Sequence, residues 1–275
     1  MTGHAGGRPL VMGILNVTPD SFSDGGRYLA PAAALARGAE MIDEGADLVD
    51  VGGESSRPGA RPVPEAEELR RVVAVVEGLA GRVRLSVDTR RASVARAAVR
   101  AGATLINDIS ASLWPVAADE GVGWVAMHMR GTPPDMQDDP RYDDVVAEVR
   151  DLLSDRAARA VAAGVGEVWI DPGIGFGKTT AHNLALLAGV PALVEAAADH
   201  GAAGVLVGTS RKGFLGRFGA AADRPRPVED RLEASLATAV WAMESGAAMV
   251  RVHDVGPTRD AADLVGPRLV AGSAP

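Results

Sequence analysis

Short apolar runs alternate with longer amphipathic stretches eight times along this chain, and that alternation constrains its fold more than any other feature. The apolar runs lie at 9–15, 47–51, 83–87, 104–106, 123–127, 167–170, 204–207 and 248–252. Each is apolar on both faces, as a parallel strand buried beneath helices must be. Helical periodicity fills the gaps at 32–44, 65–79, 92–101, 145–163, 181–199, 229–245 and 258–264, with 116–120 a short helix at best. Gly45, Gly81, Gly102, Gly121, Gly164, Gly201 and Gly246 stand where helix C-caps belong. Eight strand–helix units in 275 residues predict an α/β chain folded as a single-domain (β/α)8 TIM barrel over 9–270, behind a short disordered lead at 1–8. An open doubly wound sheet is the alternative, but no Gly-x-Gly-x-x-Gly opens a helix after the first strand. The polar, Pro-containing stretch 217–228 reads as a surface loop.

Composition narrows the function. A net charge of −8 argues against nucleic acid as partner. The chain has no Cys, so neither a disulfide framework nor a Cys-ligated metal is available. No apolar run is long enough for a membrane span and no signal-peptide pattern opens the chain, which points to the cytoplasm. Of 28 basic residues only Lys178 and Lys212 are Lys. A Lys kept in so Arg-rich a chain marks a place where guanidinium cannot replace ammonium; chance survival is the plain alternative.

In a barrel, catalytic groups come from the C-terminal strand ends and the loops that follow. Here those ends are polar. They carry Asn16 with a long loop through Gly26; 52–59 (GGESSRPG); Asp88; Asn107 with Asp108; His128; 171–178 (DPGIGFGK); 208–212 (GTSRK); and Arg251 with His253 and Asp254. Any one of them has an ordinary explanation, since an Asp there is often a helix N-cap and a His is often structural. Together they describe a site. Asp88, Asn107 and Asp171 offer acceptors suited to a flat, donor-rich heterocycle such as an aminopyrimidinone. Arg251, His253 and the backbone N–H groups of Gly-rich loops suit phosphate, and Lys212 is a compact charge between the two. Asn16, with Asp20 and Asp24, suits Mg²⁺ held against a diphosphate. A heterocycle pocket beside an anion pocket implies transfer from a diphosphate-bearing substrate.

These residues resemble one family in order along nearly the whole chain. The stretch 13–26 (GILNVTPDSFSDGG) is similar to the first motif of dihydropteroate synthases, and 52–60 (GGESSRPGA) to the second. The stretches 86–89, 106–109, 127–133, 171–178, 209–212 and 251–253 continue the match. The resemblance implies a transferase of folate biosynthesis that joins 6-hydroxymethyl-7,8-dihydropterin diphosphate to p-aminobenzoate and is the target of sulfonamides. It implies that Asp88, Asn107, Met127, Asp171, Phe176, Gly208 and Lys212 hold the pterin. Asn16, Arg251, Val252 and His253 would meet the diphosphate, with Mg²⁺ at Asn16. Ser56, Arg57, Pro58, Lys212 and Gly213 would take p-aminobenzoate, and Asp88, Asp171, Lys212, Arg251 and His253 would carry the chemistry. Ser56 keeps the hydroxyl of a position often filled by Thr. Gly213 stands where many members carry Ser, leaving the backbone N–H of the following helix as the remaining donor. Lys178 is expected in a looser loop than Lys212. The family also implies a homodimer, through helices near the C-terminus. A pterin-dependent methyltransferase domain and a non-catalytic pterin-binding paralogue are the competing readings; the complete polar set and the Ser-Arg-Lys motif favour the synthase.

Overall fold

A computed structural model describes residues 7–17, 29–55, 59–60, 62–218 and 224–271. Its eight parallel strands pair in sequence order and close into a barrel. They are β1 (Leu10–Asn16), β2 (Leu48–Gly52), β3 (Arg84–Asp88), β4 (Leu105–Asp108), β5 (Gly123–Met127), β6 (Val168–Asp171), β7 (Gly204–Val207) and β8 (Met249–Val252). Around them lie α1 (Leu29–Asp43), α2 (Glu65–Leu79), α3 (Ala92–Ala101), α4 (Trp114–Glu120), α5 (Val145–Ala162), α6 (Thr180–Ala188), α7 (Val190–Asp199), α8 (Leu232–Glu244) and α9 (Val255–Ala271). The seven expected C-cap glycines all have positive φ.

Side-chain parity sorts each strand into two jobs. Outward residues such as Val49, Val51, Leu85, Val87, Ile170 and Val205 pack with the helices in one continuous core. Inward residues Met12, Leu48, Leu105, Val125, Trp169, Leu206 and Met249 form a separate apolar plug. Near the N-terminal strand ends, Arg84 holds Glu167 through two hydrogen bonds of 3.0 and 2.6 Å, and Trp169 Nε1 donates to the same carboxylate. Above the plug the inward positions turn polar.

Three expectations are corrected. The single helix at 181–199 is two, α6 and α7, bent by 58°. Pro191 in the first turn of α7 has no N–H and cannot continue α6. The helix expected at 258–264 begins at Val255 and runs to Ala271. Of the expected lead, 1–6 lie outside the described residues, but Arg8 is anchored by two 2.7 Å hydrogen bonds to Asp47 and a 2.8 Å ion pair to Asp263.

Candidate functional site

The inward positions at the C-terminal strand ends converge. Asp88 of β3, Asn107 of β4, Met127 of β5, Asp171 of β6, Arg251 of β8 and Gly208 after β7 line a small cavity with Ile109, Phe176 and Lys212. Every residue assigned to the pterin in the sequence is among them. The cavity measures about 20 Å³, room for about one water. Arg251 and Lys212 form part of its wall and also line the cleft outside it. Outside it opens a cleft of about 640 Å³, whose walls include Asn16, Ser55, Gln137, Thr179, Gly213 and His253.

The floor of the cavity is a charge network. Arg251 donates from Nε to Asp50 Oδ2 at 2.7 Å and from Nη2 to Asp88 Oδ2 at 2.8 Å. Asn107 Nδ2 donates to the same Asp50 oxygen at 2.8 Å. Asp50 escaped the reading of strand ends because it sits mid-strand in LVDVG. Its signal was there: an Asp in an apolar strand, on the same face as Gly52 at the strand end. Burial pushes the Asp88 carboxyl up to about 7, against the opposing pull of Arg251. Burial likewise raises Asp171, although Lys212 and the Gly173 N–H oppose it. Lys212 is pushed down to about 8 by burial, with Asp171 resisting. Its ammonium donates to the Ile174 carbonyl and lies 4.7 Å from the centre of the Phe176 ring. Burial opposes the charge of Arg251, yet Asp50 and Asp88 hold its pKa above the ordinary value.

Lys178 is not in a loose loop. It is 3% exposed and donates to His128 Nδ1 at 2.9 Å, to the His128 carbonyl at 3.3 Å and to the Phe176 carbonyl at 3.0 Å. Burial lowers it to about 7. His128, lowered to about 3 by burial and then by the Lys178 charge, stays neutral and accepts. This brace ties the loop after β6 to the end of β5. The chain passes so close there that a Cβ on Gly173 would lie 1.8 Å from the His128 carbonyl oxygen. That tight turn lets the Gly173 N–H reach Asp171 Oδ1 at 2.7 Å.

On the anion side, Ser210 Oγ accepts the His253 backbone N–H at 3.1 Å and meets His253 Nδ1 at 3.0 Å. Which atom donates in the second contact follows the tautomer: with the ring proton on Nε2 the hydroxyl donates to Nδ1, and with it on Nδ1 the hydroxyl accepts again. Val252 turns its side chain into the outer core, leaving only its backbone for an anion. Arg211, just before Lys212, has φ 57°. Ser235 Oγ accepts its N–H at 2.9 Å, Arg231 donates to its carbonyl at 3.0 Å, and its guanidinium pairs with Asp254, so this strained residue is held on every side. The helix expected after Lys212 is a five-residue 3-10 helix, Gly213–Arg217; α8 starts at Leu232. Its helix-dipole contribution is correspondingly small. Ser56, Arg57, Pro58, Asp20 and Asp24 lie outside the described residues. The base of their second loop is pinned: Glu54 Oε2 accepts the Val63 N–H at 2.8 Å and Arg91 Nη2 at 2.9 Å.

Among known proteins, a family model described as pterin binding enzyme matches residues 12–253. The dihydropteroate synthase of Mycobacterium leprae is 48% identical over 272 residues, covering 95% of this chain and 94% of that protein. A structure of Xanthomonas albilineans dihydropteroate synthase with 4-aminobenzoic acid superposes with a TM-score of 0.86 at 46% identity, over 98% of this chain and 94% of that one. A Yersinia pestis dihydropteroate synthase in complex with a sulfonamide drug also scores 0.86, at 44% identity, over 96% and 95% of the two chains.

Proposed function

Since the chain belongs to the family of pterin-binding enzymes, we propose that its cleft performs dihydropteroate synthesis: 6-hydroxymethyl-7,8-dihydropterin diphosphate and p-aminobenzoate give 7,8-dihydropteroate and diphosphate. The observation that carries this reading is the convergence of all seven expected pterin residues on one cavity beneath an open cleft, in a chain 48% identical to a dihydropteroate synthase over 95% of its length.

Asp171 and Asn107 Oδ1 accept the ring N–H groups, and Lys212 donates to a ring acceptor. Phe176 and Met127 cover the ring faces. Arg251 leaves Asp88 for the diphosphate, joined by the His253 imidazole and the Val252 backbone. The bond between the pterin methylene carbon and the diphosphate oxygen breaks, with the electron pair leaving on diphosphate. The aniline nitrogen forms the new bond to carbon and then loses its proton to water in the open cleft. Freed from Arg251, Asp88 with Asp171 stabilises positive charge developing on the methylene. No covalent enzyme intermediate is needed. The p-aminobenzoate lies toward the rim, near Gly213 and the second loop.

Mg²⁺ fits the strand-one end. Asn16 closes β1 with an inward side chain on the cleft wall, and among the described residues no cluster of three or more His, Asp or Glu forms a protein-only cage. One amide oxygen with substrate phosphate and water is the usual Mg²⁺ arrangement. Held by Asn16, such an ion would supply charge neutralisation for the departing diphosphate.

A homodimer through α8 and α9 is consistent with the apolar residues they leave uncovered, Trp241 at 40% and Leu264 at 75% exposure. We place the enzyme in the cytoplasm; among the described residues no single helix is long and apolar enough to cross a membrane. Sulfonamides test the reading. They should inhibit competitively with p-aminobenzoate, in an assay that chelation of Mg²⁺ abolishes. Inhibition unaffected by p-aminobenzoate concentration would contradict the placement of that substrate.

A further inference from the structure

A carboxylate that lines neither cavity nor cleft holds two residues that do. Asp50 is fully buried in the middle of β2, between Val49 and Val51. A carboxylate out of water is costly unless paired, so its place is explained by what it holds. Oδ2 accepts from Asn107 Nδ2 at 2.8 Å and from Arg251 Nε at 2.7 Å. Both donors belong to residues that line the cavity.

The chemistry of the group decides the geometry. A carboxylate only accepts. Asn107 must therefore turn its NH₂ toward Asp50, and its Oδ1 is left buried without a partner among the described residues. Arg251 is anchored at Nε, close to its stem, while Nη2 is engaged by Asp88. The anchor near the stem permits the outer guanidinium nitrogens to change partners.

We propose that Asp50 is a positioning residue for the transfer reaction: it presents the Asn107 carbonyl oxygen, not the amide nitrogen, to the pterin, and it pivots Arg251 between Asp88 and the diphosphate. The proposal rests on the synthase reading above. With Asp50→Asn, the group facing Asn107 can donate as well as accept, so the Asn107 amide is no longer oriented. Rotamers that present NH₂ to a ring N–H reject the substrate.

The test has two arms. In the first, Asp50→Asn should raise KM for pterin diphosphate at least ~tenfold, as loss of one well-formed hydrogen bond does. KM for p-aminobenzoate should stay within about twofold, since Asp50 touches nothing near the rim. In an Asn107→Ala background the same change should add little to the pterin KM, and its remaining effect, through Arg251, should be a fall in kcat. An unchanged pterin KM, or effects that simply multiply, would overturn the proposal. The second arm uses the unaltered protein. With only Asn16, Asn107 and Asn183 to assign, the Asn107 side-chain amide is readable by ¹⁵N NMR. Its NH₂ should exchange slowly and move little on pterin binding. Fast exchange, or a large shift on binding, contradicts an NH₂ held by Asp50. If wild-type protein forms no dihydropteroate the synthase reading fails, and this arm still reports on the Asn107 orientation.

Discussion

Two lysines survive among 28 basic residues, and burial treats both alike while their partners separate them. Lys212 lies against Asp171 in the cavity; Lys178 is spent on His128 and two carbonyls. Lys212→Arg should therefore cost at least ~100-fold in kcat/KM while leaving the unfolding midpoint near that of wild type, because a guanidinium is too large and planar for the site. Lys178→Arg should act the other way, lowering stability by about 2 kcal/mol through overpacking, seen in urea unfolding, with activity falling only as the loop after β6 loosens. A stable, fully active Lys212→Arg protein would remove Lys212 from the mechanism. The pH profile belongs to the same residues. In the free enzyme Asp88 must be ionised and Lys212 protonated. With pKa values near 7 and 8, kcat/KM for pterin diphosphate should fall below about 7 as the carboxyl gains its proton, and above about 8 as the ammonium loses its own. A flat profile from pH 6 to 9 would contradict these protonation states.

The elements explain what was readable in the sequence. Strands buried on both faces leave continuous apolar runs, and all eight were found to within two residues because helices cover every one. Their polar ends were equally plain, since a polar residue closing an apolar run stands out. Parity was the hidden variable. Asp108 follows Asn107 yet faces outward, where its carboxylate accepts the N–H groups of Ser110, Ser112 and Leu113. Asp50, inside its run, was overlooked, as was the strained Arg211, because partners distant in sequence hold both. The helix after Lys212 is implied by the resemblance alone, because Gly213–Arg217 is too short to carry a helical repeat. At Gly213 an added Cβ would meet nothing within 4 Å. Gly213→Ser should thus fold normally and lower KM for p-aminobenzoate by roughly three- to tenfold, the worth of one hydrogen bond to a carboxylate; an unchanged KM would mean the carboxylate lies elsewhere.

Across the whole molecule, the barrel divides its interior by height. An apolar plug fills the N-terminal end, a charge network centred on Asp50, Asp88 and Arg251 lies above it, and the cleft opens over both. Substrate chemistry is confined to one rim, which frees the outer helices for assembly. If the proposed dimer forms through this face, Trp241→Glu on α8 should convert it to monomer in sedimentation velocity, since a charge in an apolar interface has no partner; a wild-type protein that sediments as a monomer would dismiss this interface. Product formation is the most direct test of the synthase activity. Purified protein given Mg²⁺, 6-hydroxymethyl-7,8-dihydropterin diphosphate and p-aminobenzoate should yield 7,8-dihydropteroate and diphosphate in equal amounts, detected by mass spectrometry and a coupled diphosphate assay. No dihydropteroate above a boiled-protein control would contradict it.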